Sequence, residues 1–211
     1  MLQVAIYLFD GITALDAVGP FESLSRSREV EVSFVGRQVG PVRTGNRALG
    51  LIVDRSINDV DRADVLIVPG GGAPGLNKAL TDTDLHTWIR KIDAASRLTC
   101  SVCTGALILG AAGQLEGRRA STHWRAKHAL ARFGATYSAD RVTSDDKYMT
   151  SAGVSAGIDL GLTICGELLG TDLAEAIELS MQYDPAPPFG TGNPEHHATS
   201  ERIGVIENRL R

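Results

Sequence analysis

A short strand-like run passes into a helix-like run near the middle of this chain, with almost no loop between them. Residues 96–107 read Ser-Arg-Leu-Thr-Cys-Ser-Val-Cys-Thr-Gly-Ala-Leu. The part that ends at Val102 is typical of a buried parallel strand, and residues 104–110 are typical of a helix. Cys103 is therefore predicted on a tight strand-to-helix turn. Such an elbow exposes its side chain above the carboxyl edge of the sheet and is often strained.

This predicted position of Cys103 favours a reactive thiol. The free N–H groups and the positive dipole end of the following helix point towards the sulfur. A helix N-terminus lowers the pKa of a thiol from its usual value of about 8.5. We interpret Cys103 as a nucleophile. The alternative is a buried, inert cysteine, because cysteine is among the residue types most often found buried.

Strand-like and helix-like segments alternate along the rest of the chain. Near-continuous apolar runs at 3–9 and 64–68 predict central strands buried on both faces, and the alternating residues 30–35 predict a further strand. Helical patterns lie between such runs, for example at 82–97 and 153–169. This order predicts a mostly parallel sheet with helices on both faces. Ligands of such sheets bind beyond the carboxyl ends of the strands.

Two further features map to the same edge of the predicted sheet. Asp16 falls in the first turn of the helix after the first strand, where a carboxylate also complements the helix dipole. Gly70 and Gly71 follow the strand that ends at Val68, and glycines there let backbone N–H groups approach a ligand closely. The convergence of Asp16, the glycines and Cys103 on one edge predicts a functional site.

The composition argues against several classes of partner. The 211 residues carry a formal net charge of −4 and no dense basic cluster, so we expect no nucleic-acid partner. No apolar run approaches the ~20 residues of a membrane span, so we expect no membrane partner. Three cysteines do not suggest a disulfide framework, and we expect a cytoplasmic protein.

Three other motifs are possible sites. Cys100 and Cys103 form a Cys-x-x-Cys pattern, but three residues of a strand span ~10 Å, whereas bridged Cα atoms are rarely more than ~7 Å apart. His196 and His197 supply too few ligands for a metal, so we expect no metal and no other cofactor. His123 either lines the site or makes a structural hydrogen bond.

With these residues in hand, the chain resembles the ThiJ/PfpI superfamily from Val4 to about Phe189. The resemblance rests on five motifs: Leu-Asp-Ala-Val-Gly-Pro at 15–20, Val-Pro-Gly-Gly at 68–71, Ser-Val-Cys-Thr-Gly at 101–105, Thr-His-Trp at 122–124 and Ser-Ala-Gly-Val-Ser-Ala-Gly-Ile-Asp at 151–159. It implies a flavodoxin-like three-layer α/β sandwich with a mostly parallel central sheet and a nucleophile-elbow cysteine. We expect this domain at 1–189, a C-terminal tail at 190–211, and a homodimer.

Within the superfamily, the pattern resembles the isocyanide hydratases, which carry an aspartate in the first helix and Cys-Thr-Gly at the elbow. Peptidase-like members usually have a histidine directly after the cysteine, where this chain has a threonine. The resemblance implies a cysteine-dependent hydratase that converts a small isocyanide to an N-substituted formamide through a covalent thioimidate. Catalysis would involve Cys103, Asp16 and Thr104. Binding of the substrate or of an anionic intermediate would involve Gly70, Gly71 and His123.

The resemblance also implies that Asp16 lies near Cys103, so that the two groups interact electrostatically. Two charges about 4 Å apart repel by about 4 kcal/mol at an effective dielectric constant of about 20, so the pair should share one proton. The helix dipole favours the negative charge on sulfur, with Asp16 as the acid. The backbone N–H groups of Gly71 and Thr104 would form an anion-binding nest, and the Thr104 hydroxyl would orient Asp16 or water.

Two alternative functions remain open. One is a glyoxalase- or deglycase-type enzyme acting on reactive carbonyls, although such enzymes usually have a glutamate where Asp16 stands. The other is a non-enzymatic redox or small-molecule sensor, because an exposed cysteine of low pKa oxidises readily. Loss of activity on replacement of Cys103 would separate the enzymes from the sensor.

Overall fold

The apolar runs at the start of the chain and before the glycine loop form inner strands of a seven-stranded central sheet in the computed structural model, which describes residues 1–209. In chain order, the strands of this sheet and of two separate two-stranded sheets, β3-β4 and β8-β9, are β1 (Leu2–Tyr7), β2 (Val30–Gly36), β3 (Gly40–Arg43), β4 (Gly50–Val53), β5 (Arg55–Ser56), β6 (Val65–Val68), β7 (Leu98–Val102), β8 (Arg119–Ala120), β9 (Thr136–Tyr137), β10 (Val142–Asp145) and β11 (Tyr148–Ser151). The central sheet has the order β10-β11-β7-β6-β1-β2-β5. Its neighbouring strands are parallel, except that β10 runs antiparallel to β11.

Helices pack against this sheet in two groups. They are α1 (Ala14–Leu24), α2 (Ala73–Leu80), α3 (Thr83–Ala95), α4 (Gly105–Ala111), α5 (Ala156–Leu169), α6 (Thr171–Met181), α7 (Pro194–His197) and α8 (Ser200–Arg209), with 3-10 segments at Ile57–Asp59 and Trp124–Phe133. Helices α1, α5 and α6 contact one another, and α4 contacts both α2 and α3. The prediction of a flavodoxin-like sandwich with a mostly parallel sheet is confirmed. Among residues 1–209, no helix is both long enough and apolar enough to cross a bilayer.

The connection from β7 into α4 is as short as the sequence predicts, and a glycine makes it possible. Only Cys103 and Thr104 separate the strand from the helix. A Cβ on Gly105 would lie 1.9 Å from the carbonyl oxygen of Val68, so the first turn of α4 packs directly on the end of β6. This close approach brings the elbow beside the loop that follows β6.

The C-terminal part of the chain is an exposed segment followed by two helices. Residues 184–193 are all exposed, and α7 and α8 come next. Arg125 Nη2 lies 3.2 Å from Glu207 Oε1, so a surface ion pair attaches α8 to the domain. The division into a domain at 1–189 and a tail at 190–211 stays a prediction, and residues 210–211 of that tail lie outside the described residues.

Candidate active site

The backbone of Cys103 is held in an unfavourable conformation by three hydrogen bonds. Its φ is +58°, in the left-handed region that costs a non-glycine residue about 1–2 kcal/mol. The Cys103 N–H donates to the carbonyl oxygens of Ser151 at 3.2 Å and Ala152 at 3.0 Å. The Thr122 hydroxyl donates to the Cys103 carbonyl oxygen at 2.9 Å. The predicted strained elbow is therefore present, and the end of β11 holds it in place.

Asp16 is a fully buried carboxyl group beside the Cys103 thiol. Its Oδ2 accepts a hydrogen bond from the Gly70 N–H at 3.1 Å. Its Oδ1 is buried and has no hydrogen-bond partner among residues 1–209. Burial raises the pKa of Asp16 to about 7, although the Gly70 N–H and the Cys103 thiol both favour the charged form. The structure thus brings together the two residues that the sequence predicts as a pair.

The thiol itself differs from the sequence-based expectation. Burial raises the pKa of Cys103 to about 12, and the charge of Asp16 acts in the same direction. The backbone N–H groups of Val154 and Thr104 lower this pKa, but they do not outweigh burial. The expectation that the helix N-terminus leaves the charge on sulfur is therefore wrong for the resting site. Because burial raises the pKa of both groups and the carboxyl group remains the stronger acid, the shared proton belongs to sulfur and the charge to Asp16.

The glycine loop and Thr104 are arranged differently from the anion-binding nest that the sequence suggests. The Gly71 N–H donates to the Thr104 hydroxyl at 3.1 Å, and that hydroxyl in turn lies 3.4 Å from the Gly71 carbonyl oxygen. The Gly70 N–H is used by Asp16. The N–H groups that interact with the sulfur come from Thr104 and from Val154, which has a φ of +35°. The sequence gives no sign of Val154, because the contribution comes from the backbone.

His123 satisfies both interpretations left open by the sequence. Its Nδ1 accepts a hydrogen bond from the Arg125 N–H at 3.3 Å, which is a structural role. Its half-buried ring also lines a cavity, where it packs on Gly153 so closely that a Cβ there would lie 2.8 Å from His123 Cδ2. Burial and the charge of Arg125 lower the pKa of His123, so the imidazole is neutral at pH 7. The proton of this neutral ring is on Nε2, since Nδ1 accepts.

The cavity that His123 lines has a volume of about 940 Å³ and adjoins the elbow. Thr122 and Val154, which both contact Cys103, form part of its wall. Most of the lining is apolar, with three large rings from Trp124, Tyr137 and Tyr183. The part of the lining that follows Tyr183 was missed by sequence reasoning, because a Pro/Gly-rich stretch gives no pattern from which to place it.

The other candidate motifs carry no sign of function. Cys100 and Cys165 are buried and free, and burial raises the pKa of each thiol. His196 and His197 lie in the short helix α7. Nowhere in the described part of the chain do three or more His, Cys, Asp or Glu side chains cluster as a metal site requires.

Comparison with known proteins places the fold and the elbow in a family. The sequence profile of the DJ-1/PfpI family matches residues 2–167. The chain is 40% identical to an isonitrile hydratase of Pseudomonas putida over 210 residues, which cover 100% of this chain and 90% of the relative.

Solved structures agree with this match. A THiJ/PfpI family protein from Pseudomonas syringae superimposes with a TM-score of 0.92 at 34% identity, covering 98% of this chain and 85% of the other. DJ-1beta of Drosophila melanogaster superimposes with a TM-score of 0.78 at 20% identity, over 86% of this chain and 97% of the other. At that lower identity, the second likeness concerns the fold alone.

Proposed function

This chain belongs to the DJ-1/PfpI family, and from that premise we propose that it is an isonitrile hydratase, an enzyme that converts an isonitrile to an N-substituted formamide. The observation that carries the proposal is the buried pair of Asp16 and Cys103 next to the cavity. The 40% identity to an isonitrile hydratase over the full chain supports the same reaction.

The chemistry of the substrate fits a carboxyl–thiol pair that holds one proton between its members. The terminal carbon of an isonitrile, R–N≡C, must receive both a sulfur and a proton to become a thioimidate. Cys103 supplies the sulfur, and the proton that it shares with Asp16 is the one required. The free Oδ1 of Asp16 is the atom that can accept and return this proton.

We write the reaction in two stages so that atoms and protons balance. In the first, a bond forms between Cys103 Sγ and the terminal carbon, and the thiol proton passes by way of Asp16 to that carbon, giving R–N=CH–S–Cys. In the second, water adds to the same carbon, Asp16 takes one proton of the water, and the nitrogen receives that proton. The carbon–sulfur bond then breaks, the hydroxyl proton returns to sulfur, and R–NH–CHO leaves.

The remaining residues have supporting roles in this proposal. The N–H groups of Thr104 and Val154 stabilise the charge that develops on sulfur during attack. The Thr104 hydroxyl acts as a positioning group that joins the elbow to Gly71, and Gly70 orients the Asp16 carboxyl group. His123 offers its Nε2–H to the substrate or to the water in the cavity.

The first experiment is steady-state turnover of an alkyl isonitrile, with formamide detection, by the wild type and by Cys103→Ala. We expect the variant to lose activity, because the covalent bond cannot form. Cys165→Ala is the matched control, since Cys165 is a buried cysteine in α5 away from the elbow. Mass spectrometry of the quenched wild type should find an adduct heavier by the full mass of the isonitrile. Turnover by Cys103→Ala would refute the proposal.

We also propose that the protein is a homodimer. Leu49 and Ile52 of the β3–β4 hairpin region and Leu15 at the start of α1 are exposed apolar side chains. Ile12 forms a bridge to Thr44, so the approach to α1 lies against this hairpin. Light scattering should give about twice 22.4 kDa, and Ile52→Lys should lower that mass. A monomeric wild type would contradict the proposal.

We further propose that the protein works in the cytoplasm. Its three cysteines are free, which supports a reducing compartment. The proposed nucleophile also requires a reduced thiol. Cell fractionation of the native host, with the activity followed through each fraction, tests this localisation.

A further inference from the structure

One wall of the cavity is built by a segment that has no part in the chemistry. The residues 183–195, which we term the terminal segment, contribute several lining positions, among them Pro185, Ala186 and Pro187. The opposite wall comes from the domain, where Thr122 and Val154 touch the reacting cysteine. Cys103 itself is not among the lining residues, but Thr122 and Val154, which contact it, form the inner end of the cavity, and the terminal segment forms its outer side.

Both ends of the terminal segment are fixed to the domain. At its beginning, the Tyr183 hydroxyl donates to Asp159 Oδ2 at 2.9 Å, and Arg141 holds the same carboxylate oxygen at 2.7 Å. Beyond its end, Arg125 Nη2 lies 3.2 Å from Glu207 Oε1 and ties α8 to the domain, and Glu195 lines the same cavity as Tyr137, so the segment crosses the cavity. Between these points, residues 184–193 are exposed to solvent. The segment is thus anchored at two places and spans the space between them.

The size of the cavity indicates which part of the substrate the terminal segment contacts. About 940 Å³ is near the upper end of the range for small-molecule sites, and it is far more than a linear –N≡C group occupies. Since that group must reach the cysteine, the organic group R of the substrate points away from it. Arg141 is already paired with Asp159, and Glu195 places a carboxylate in the lining, so the cavity disfavours an anionic R group.

We propose that the terminal segment determines specificity by contacting the organic group of the isonitrile, and that it favours ring-sized groups without a negative charge over small ones. This inference rests on the proposed function. It predicts that changes in the segment alter the discrimination between large and small isonitriles, while the chemistry at Cys103 continues.

The test compares kcat/KM for benzyl isonitrile and methyl isonitrile in the full-length protein. Ala186→Trp fills the cavity from the terminal segment, so we expect kcat/KM for the benzyl substrate to fall about tenfold or more, the range that changes of pocket fit produce. The value for methyl isonitrile should stay within about twofold, and this also reports that the variant is folded. Ala198→Trp is the matched control, because Ala198 is exposed outside the cavity and should leave the ratio unchanged.

A second variant tests the anchor without adding bulk. Tyr183→Phe removes only the hydroxyl that Asp159 accepts, and should raise KM for benzyl isonitrile several-fold with little effect on methyl isonitrile. Tyr148→Phe is its control, since the Tyr148 hydroxyl also bonds a carboxylate, that of Asp93 at 3.2 Å, but does so away from the cavity.

The outcomes separate this inference from the proposed function. If the wild type turns over neither isonitrile, the proposed function fails. If the wild type is active but Ala186→Trp and Tyr183→Phe leave the ratio of the two kcat/KM values unchanged, the specificity role alone is overturned. An equal loss for both substrates would overturn it as well, because the segment would then support the fold and would not contact the organic group.

Discussion

Replacing Asp16 by asparagine should make the protein more stable at pH 8 and less stable at pH 5. Burial raises the pKa of this carboxyl group from its ordinary 3.8 to about 7, so the folded protein favours the neutral form. The stability that protonation supplies is fully present below pH 3.8 and is lost as the pH rises through about 7. Above that pH the folded protein must bury a charged group, which asparagine avoids.

The size of the effect follows from the shift in pKa. About three pKa units at 1.36 kcal/mol each correspond to about 4 kcal/mol between the fully protonated and fully ionised states, and to about 3 kcal/mol between pH 5 and pH 8. The side-chain carbonyl of the introduced asparagine can still accept the Gly70 N–H, but its amide N–H groups would replace Oδ1, which has no partner in the described structure. An unsatisfied donor costs about 1–3 kcal/mol. We therefore expect a net gain of about 1–3 kcal/mol at pH 8 and a net loss at pH 5.

Urea unfolding of both proteins at the two pH values measures this difference. Asp10→Asn is the control, because Asp10 is exposed and the Arg43 N–H lowers its pKa, so removal of its charge should not stabilise the protein at pH 8. A stability difference between wild type and Asp16→Asn that is the same at both pH values would refute the argument. Turnover by the variant should fall by about two to four orders of magnitude, because the proton acceptor is lost.

Three further predictions follow from the elbow and its neighbours. The value of kcat/KM should fall as the pH drops below about 7, because Asp16, whose pKa is about 7, cannot accept the thiol proton once it is protonated. Rates measured from pH 5.5 to 8.5 would show this fall, and His123→Gln should leave its midpoint unchanged. In urea unfolding, Cys103→Gly should be more stable than Cys103→Ala by about 0.5–1 kcal/mol, because glycine adopts the positive φ without strain. Equal stabilities of the two variants would contradict the strain. Gly105→Ala should lower the free energy of unfolding by about 3 kcal/mol or more, because its Cβ would overlap the Val68 carbonyl. Gly166→Ala is the control: its Cβ meets nothing closer than 3.8 Å, so thermal unfolding should show a gain of about 0.5–1 kcal/mol.

The sheet could be predicted from the sequence because its central strands are buried on both faces. Residues 65–68 and 98–102 are buried throughout, and a continuous apolar run such as 65–68 has few other uses in a chain of this length. The elbow could be predicted equally well, because only Cys103 and Thr104 lie between β7 and α4. Convergence of Asp16 and Cys103 followed from the rule that ligands bind at the carboxyl edge of a parallel sheet.

The electrostatics of the site could not be predicted in the same way. A helix N-terminus is visible in the sequence, but the degree of burial is a property of the packed structure, and here burial outweighs the dipole in setting the pKa of Cys103. One of the two donors at the sulfur, the Val154 N–H, was missed for a related reason. Val154 acts through its backbone N–H, and a backbone group is the same whatever side chain the sequence specifies.

The two pKa values together indicate how the proton must move. In water, a thiol at 9.0 and an aspartate at 3.8 differ by about five units, and in the folded site the values of about 12 and about 7 differ by nearly the same amount. Burial therefore raises both values, and a full transfer of the proton from Cys103 to Asp16 before attack has a free-energy cost, because the thiol remains the weaker acid. That cost falls if the carbon–sulfur bond forms while the proton moves, since sulfur then never carries a full charge. The Val154 and Thr104 N–H groups stabilise the partial charge that remains. A buried pair with one proton is thus better suited to a substrate that takes up sulfur and hydrogen at the same carbon than to a reaction that requires a free thiolate.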